Sequence, residues 1–182
     1  SVFRTAHCYY KVRAYREDVQ AVCDSLVYNT KDSCMTMYRD PIVWNDNRQM
    51  FGEKMEVFIK DSTFERAHVI GQAFSAEMLR DSTHYNQVSS REMFAYFDDG
   101  KLSKTEAIGN VRTVFYAMEE KDSSIIMLNY LETDTIRMFL KAGKLQKIWT
   151  PKAEGTAYPM SQIPPGKDFL DGFAWFDGIR PV

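Results

Sequence analysis

The sequence predicts an all-β fold made of stacked antiparallel strands. Apolar and polar residues alternate with period two in several segments, the pattern typical of half-buried strands. These segments recur at intervals of roughly 40 residues, which indicates a repeat architecture. A unit of this size cannot bury its apolar face alone, so neighbouring units must stack on one another. Gly71, Gly109 and Gly155 close successive units and predict a bend or bulge at a fixed place in each.

The clearest unit begins at Met93–Phe97, turns at Asp98-Asp99-Gly100 and closes at Gly109. Two segments align with its first strand, and a third aligns more faintly, with Asp40 in the place of the closing glycine: Met55–Ile59, Ile136–Leu140 and Leu26–Tyr28. In this alignment Leu26, Val57, Ala95 and Met138 share one column.

One parity of these segments is apolar and is predicted to face the interior. It comprises Leu26, Tyr28, Met55, Val57, Ile59, Met93, Ala95, Phe97, Ile136, Met138 and Leu140. The opposite parity holds Glu56, Lys60 and Arg137 and is predicted to face outward. An aromatic column interrupts this outward face and predicts a side-chain ladder between neighbouring strands: Phe58, Tyr96 and Phe139.

The domain organisation predicted from the repeats has two parts. Residues 1–150 carry the stacked units, whereas residues 151–182 are rich in proline, glycine and aromatic residues and fit no column. We expect this segment to cap the stack, because the last unit leaves an apolar edge open; a flexible segment is the alternative. Val12–Tyr15 resembles the part of a unit that follows its glycine, so the chain is expected to open within a unit. An end strand of this kind presents unpaired backbone groups that favour strand addition from another domain.

Composition narrows the functional classes. The 182 residues include 23 Lys and Arg against 25 Asp and Glu, a net charge of −2, so a basic footprint for nucleic acid is absent. No apolar run reaches the length of a transmembrane helix. The sequence begins at Ser1 without a signal peptide, and we interpret it as a mature or trimmed product, which leaves an exported origin open.

Three cysteines are too few for a disulfide scaffold. A tight hairpin centred on Asn29-Thr30 does not place Cys23 opposite Cys34. Their spacing therefore favours small buried side chains over a disulfide, although a bulge or a longer loop would permit one.

Catalysis has little support in the sequence. Asp98-Asp99 are adjacent carboxylates, but neighbouring residues of a strand point to opposite faces, and with Gly100 they are better interpreted as a turn. His7, His68 and His84 lack metal-ligand spacing, and neither a phosphate-binding loop nor a nucleophile elbow is visible. The sequence predicts a non-enzyme without catalytic residues, metal or cofactor.

Three stretches resemble one family. Asp24–Asn29 resembles its recurrent strand, the stretch from Asn47 to Gly71 resembles the unit that follows, and Gly109-Asn110-Val111 resembles its glycine-asparagine-valine motif. The family is that of the LptA/OstA-like proteins of lipopolysaccharide transport and outer-membrane assembly in Gram-negative bacteria. The likeness covers roughly residues 10–150. Asp40, a lengthened last unit and the aromatic tail depart from the pattern.

The resemblance implies an OstA-like β-taco, or β-jelly-roll, whose two sheets enclose an apolar groove. It implies a periplasmic, cell-envelope protein that carries lipopolysaccharide acyl chains on the eleven inward residues named above. It also implies partners that join by edge-strand addition, either other OstA-like domains or Lpt components.

Several alternatives stay open at the level of sequence. The inward positions either line a groove or fill a closed core, and their methionine content favours a groove because methionine adapts to varied apolar ligands. Four lysines near the turns either bind a head group or protect an edge: Lys101, Lys104, Lys144 and Lys147. Two rival functions are a glycan-binding or glycan-processing module using Trp44 or Trp149, and a structural spacer of a larger envelope protein.

Overall fold

A computed structural model describes residues 2–182 as an antiparallel sheet of twelve strands, creased along its middle into two facing layers. Two three-residue 3-10 turns, Met160–Gln162 and Asp177–Ile179, complete the structure. The predicted all-β class is confirmed. The strands are β1 (Thr5–Arg16), β2 (Val19–Asn29), β3 (Cys34–Tyr38), β4 (Ile42–Asn45), β5 (Arg48–Phe51), β6 (Lys54–Lys60), β7 (Thr63–Met78), β8 (Tyr85–Asp98), β9 (Lys101–Met118), β10 (Ile125–Lys141), β11 (Lys144–Trp149) and β12 (Ala153–Pro159).

The long strands run through both layers, and the short strands belong to one layer each. The first layer has the order β1-β2-β3-β6-β7-β8-β9-β10-β11. The second layer has the order β1-β2-β4-β5-β7-β8-β9-β10-β12. The predicted segment Ile136–Leu140 therefore lies in the first-layer half of β10, a single strand that runs through both layers.

The crease is formed by pairs of consecutive residues with positive φ on alternate segments of the sheet. These pairs are Tyr10-Lys11, Arg39-Asp40, Gly71-Gln72 and Gly109-Asn110. A register shift accompanies Tyr10-Lys11 in β1 and Gly71-Gln72 in β7, and β9 shifts on both its neighbours around Gly109. A left-handed residue at a bulge bends the strand, and glycine adopts that conformation without steric cost.

The predicted bend is confirmed at Gly71 and Gly109, whose φ values are +80° and +85°. Asp40 does adopt a left-handed conformation in place of glycine, with φ of +55°. The prediction is wrong for Gly155, which pairs regularly with Leu131 in the β10–β12 ladder. A Cβ there would lie 3.2 Å from the Tyr130 carbonyl oxygen, so close backbone approach accounts for this glycine.

The strand register places the inward side chains in two adjacent rows of the first layer. One row runs Leu26–Met37–Met55–Val69–Met93–Ala107–Ile136, and the next runs Tyr28–Met35–Val57–Ala67–Ala95–Thr105–Met138. Leu26 therefore lies one row away from Val57, Ala95 and Met138, and the predicted shared column is wrong for this residue. The pairing of β3 with β6 sets this placement, because Met37, the partner of Leu26, lies opposite Met55 and not opposite Val57.

The C-terminal residues make two kinds of contact. β12 pairs with the second-layer half of β10, beside the open edge of the last long strand. The chain then crosses the outer face of the second layer, where Leu170, Phe173 and Trp175 pack over Phe74 and Val114. Whether residues 151–182 form a separate cap stays a prediction.

Three buried glutamines on separate strands hold the segment that crosses this outer face. Gln87 donates to the Asp168 carbonyl and accepts from the Leu170 amide, at 2.9 and 2.8 Å. Gln49 likewise donates to the Ala174 carbonyl and accepts from the Phe176 amide. Gln20 accepts from the Arg180 guanidinium at 2.8 Å. The side-chain amides thus satisfy backbone groups that no strand partner reaches. We refer to residues 160–181 as the strap.

All three cysteines are free thiols. Cys34 lies opposite Asn29 in the β2–β3 hairpin, and Cys23 lies opposite Val12, so the two are not cross-strand partners. Burial raises the pKa of the Cys23 thiol to about 11, which keeps it protonated and unreactive at neutral pH.

Replacing Gln49 by Ala should lower the free energy of unfolding by about 2–4 kcal/mol, because several buried polar groups lose their partner at once. The orphaned groups are the Trp44 indole N–H, the Ala174 carbonyl and the Phe176 amide. Urea denaturation measures the change, with the exposed Gln146→Ala as control. A loss in Gln49→Ala no larger than in Gln146→Ala would show that the strap adds nothing to stability.

Candidate functional site

A cavity of about 720 Å³ lies between the two layers and is the candidate site. Its walls are mainly apolar, and methionine is prominent among them: Met35, Met37, Met50, Met55, Met93 and Met138. Ala67, Ala95 and Ala107 leave room beside these flexible side chains on the first layer. The volume lies within the range of small-molecule and cofactor sites.

Seven of the eleven residues predicted to bind lipid line this cavity: Met55, Val57, Met93, Ala95, Phe97, Met138 and Leu140. Leu26, Tyr28 and Ile136 belong to the apolar cluster packed behind it. Ile59 is half-buried and lies outside both sets, because it follows the β6–β7 bulge and pairs with Phe64 at the end of the hairpin. Lipid binding by these residues remains a prediction.

The second layer supplies the other wall, which sequence reasoning missed. Its inward row runs Ala21–Val43–Met50–Ser75–Val88–Thr113–Leu131. Most of this row lines the cavity, together with Val19 and Phe115. The alternation that follows each crease, as in Val111, Thr113 and Phe115 of β9, was the signal available for finding it.

Two inward-facing hydroxyls on β9 are buried without a hydrogen-bond partner among residues 2–182. They are the Oγ1 atoms of Thr105, in the cavity wall, and of Thr113, in the second-layer row. A buried hydroxyl that lacks a partner is energetically costly. Thr105 therefore offers a donor to any polar group that enters the cavity.

The lip of the cavity is polar and is bridged from one layer to the other. The Arg48 guanidinium donates to the Gly143 carbonyl in the β10–β11 turn at 2.9 Å and pairs with Glu77 at 3.5 Å. Lys144, one of the four lysines noted in the sequence, lies among the lining residues at this lip. Lys104 and Lys147 instead lie on the outer face of the first layer, and Lys101 lies opposite Asp98 in its hairpin.

Other candidate sites are less developed. Trp44 is fully buried and donates to Gln49, so its proposed use as a glycan-binding surface residue is wrong. Within residues 2–182, no three His, Cys, Asp or Glu side chains gather in a metal-binding group. The same residues contain no helix with the length and apolar character needed to cross a bilayer.

The two-layer arrangement matches a known structure. Over 78% of this chain and 95% of the other, it aligns with LptH, the LptA-homologous periplasmic component of the lipopolysaccharide transport device of Pseudomonas aeruginosa, with a TM-score of 0.57. The chain has an LptA-like fold. Sequence identity in the match is 12%, so the comparison shows a shared fold and nothing finer. No family model and no curated protein sequence matches this chain.

An Ala95→Leu substitution should leave the free energy of unfolding within about 1 kcal/mol of wild type, because the larger side chain enters open space in the cavity. The matched variant is Ala76→Leu, beneath the strap, where overpacking should cost about 1–3 kcal/mol. Chemical denaturation of the two proteins tests the contrast. Equal losses at both positions would indicate a closed, fully packed interior.

Proposed function

We propose that this chain is a lipopolysaccharide-transport domain of the periplasm that carries acyl chains between its two layers and serves outer-membrane biogenesis. The observation that carries the proposal is the apolar cavity of about 720 Å³ enclosed by an LptA-like fold. LptH, which shares that fold, is a periplasmic component of lipopolysaccharide transport.

The chemistry of the walls suits a saturated hydrocarbon chain. Each methylene moved from water into an apolar site gains about 0.8 kcal/mol, so an acyl chain supplies a large driving force without specific polar contacts. Methionine side chains adapt their shape to such a ligand. Thr105 can donate to a carbonyl oxygen at the head of the acyl chain, which supports binding of a linked rather than a free hydrocarbon.

The polar lip supports an orientation in which the acyl chains lie inside the cavity and the head group lies at its opening. Arg48 and Lys144 lie where the cavity opens between the layers, close to the β10–β11 turn. Cationic groups at that position would contact the anionic head group of an amphiphile whose tails lie inside. The transported molecule would then keep its sugars in water while its tails stay dry, and no bond-breaking chemistry is required of the protein.

Photocrosslinking tests the position of the lipid. A photoreactive residue at Val57, Ala95 or Met138 should crosslink to lipopolysaccharide, because these side chains share the inward row that faces the cavity. The same residue at Glu56, which faces outward, is the matched control. Labelling at Glu56 with none at the three inward positions would contradict the proposal.

Blocking the cavity provides a second readout within the same test. Ala95→Trp should reduce crosslinking from Val57 at least tenfold while the protein stays folded, because the indole occupies the lipid path. Circular dichroism checks the fold. Undiminished crosslinking in a folded Ala95→Trp protein would place the lipid elsewhere.

We also propose that the two ends of the sheet join copies of this domain, or related domains, by strand addition. Within residues 2–182, β1 pairs with β2 alone and β11 pairs with β10 alone, so each keeps one unpaired edge. Nearly all of β1 is exposed, including Tyr9 and Tyr15. Unpaired edges favour the addition of another strand, and an end-to-end union would align successive cavities.

Cysteine crosslinking tests this assembly. In a Cys8→Ser background, His7→Cys on the first-layer half of β1 together with Gln146→Cys on β11 should give a ladder of oligomers with a short bis-maleimide. Either cysteine alone should give dimers at most. A two-cysteine protein that forms no species beyond those of the single variants would contradict head-to-tail joining.

A further inference from the structure

A straight row of alternating aromatic and cationic side chains crosses the outer face of the first layer. Strand pairing places Phe58, Arg66, Tyr96, Lys104, Phe139 and Lys147 opposite one another in that order, on β6 to β11. The ladder predicted for Phe58, Tyr96 and Phe139 thus exists, with a cation between each pair of rings and a third beyond the last. We call these six residues the outer row.

Each ring in the outer row has a cation above it. The Arg66 guanidinium lies 4.1 Å from the centroid of Phe58, and the Lys104 ammonium lies 4.2 Å from that of Tyr96. Lys147 lies 5.9 Å from the centroid of Phe139. These are cation–π distances, so the rings hold the cations in position on the face.

The outer row is produced by one hairpin repeated three times. In each hairpin a bulge follows the aromatic residue, between Phe58 and Ile59, Tyr96 and Phe97, and Phe139 and Leu140. One extra residue precedes the cation of the second strand: Glu65, Ser103 or Gln146. The bulge fixes a register in which the aromatic and the cation face each other.

The three cations of the outer row have no carboxylate partner within residues 2–182. Three acids in the next two rows of the same face are already paired. Glu56 pairs with Lys54 at 3.3 Å, Glu92 with His68 at 2.8 Å, and Glu106 with Arg137. Positive charge therefore remains available along the outer row in a chain whose net charge is −2.

We infer that the outer row binds an anionic saccharide chain that bears phosphate groups along its length. Arg66, Lys104 and Lys147 lie on alternate strands, so successive cations are spaced by about 9.5 Å, twice the distance between neighbouring strands. Each cation would contact one phosphate of the chain, and guanidinium and ammonium groups are both established phosphate ligands in proteins.

The spacing distinguishes this ligand from a nucleic acid. Duplex DNA carries one negative charge per about 1.7 Å of helix axis, far denser than the outer row. A net negative protein repels such a densely charged polyanion more strongly than it repels a sparsely charged saccharide. The rings lie beneath the cations and do not form an open platform on which bases could stack.

The nature of the saccharide rests on the proposed function, because a lipopolysaccharide joins a sugar chain to the acyl chains expected inside the cavity. Phe139 and Lys147, at one end of the outer row, lie a few residues from the β10–β11 turn at the cavity lip, so sugars leaving the lip could lie along the outer face. The two sites are nevertheless separate, one between the layers and one outside them.

The test uses the phosphorylated oligosaccharide released by complete deacylation of lipopolysaccharide, titrated calorimetrically into the whole chain. Binding should weaken at least tenfold in the triple variant R66Q/K104Q/K147Q and on dephosphorylation of the oligosaccharide. The matched control K31Q/K121Q/K152Q removes the same charge elsewhere and should bind as wild type does. Because this probe has no acyl chains, its failure to bind leaves the crosslinking test of the cavity unaffected.

Three results would overturn the inference. They are the absence of binding to the wild type, equal binding of the dephosphorylated probe, and equal loss in the control variant. Tighter, row-dependent binding of a single-stranded oligonucleotide with the same number of phosphates would assign the outer row to nucleic acid instead. If the glutamine variant does not fold, R66K/K104R/K147R keeps the charges and should retain binding, and a loss there of tenfold or more would also contradict the inference.

Discussion

The crease is the constraint on which the rest of the structure depends. Pairs of left-handed residues on alternate segments allow β1, β7 and β9 to pass from one layer to the other without leaving the sheet. The same strand then contributes to both walls of the cavity. Without the crease, the apolar faces would lie on one flat sheet with nothing opposite them. Only two of the four pairs contain glycine, so the non-glycine pairs carry a conformational cost that the surrounding ladders must offset.

The two faces of the sheet have separate roles because the side chains alternate along every strand. Inward residues of both layers meet around the cavity, and outward residues of the second layer are covered by the strap. The outward face of the first layer has no covering segment within residues 2–182 and carries the outer row instead. Apolar residues therefore occur on both sides of the second layer, whereas cations and rings occur on the outside of the first.

Period-two alternation and the repeat were sufficient to predict the strands, the inward parity and the fold class. Ten of the eleven predicted inward positions lie in the cavity wall or in the apolar cluster behind it, and they could be predicted because residues such as Met55, Met93 and Ile136 recur in one column of the repeat. The row assignment of Leu26 could not be predicted, because it depends on the pairing of β3 with β6, which aligning the repeats does not reveal. The contacts of the strap could not be predicted from the sequence either. Its contacts depend on Gln20, Gln49 and Gln87, which look like ordinary polar positions until the tertiary structure places them beneath it.

The hydrogen bonds between the glutamines and the strap also favour the correct register of the strands during folding. A slip of one residue in any strand exchanges its two faces. In β2, β5 or β8 such a slip would move a glutamine side chain into the apolar interior. The strap would then lose one of its hydrogen-bond partners. A sheet paired in the wrong register would therefore lose its hydrogen bonds to the strap as well as its side-chain packing. The strap follows all twelve strands in chain order, so it can form its glutamine hydrogen bonds only over strands that already pair in the correct register.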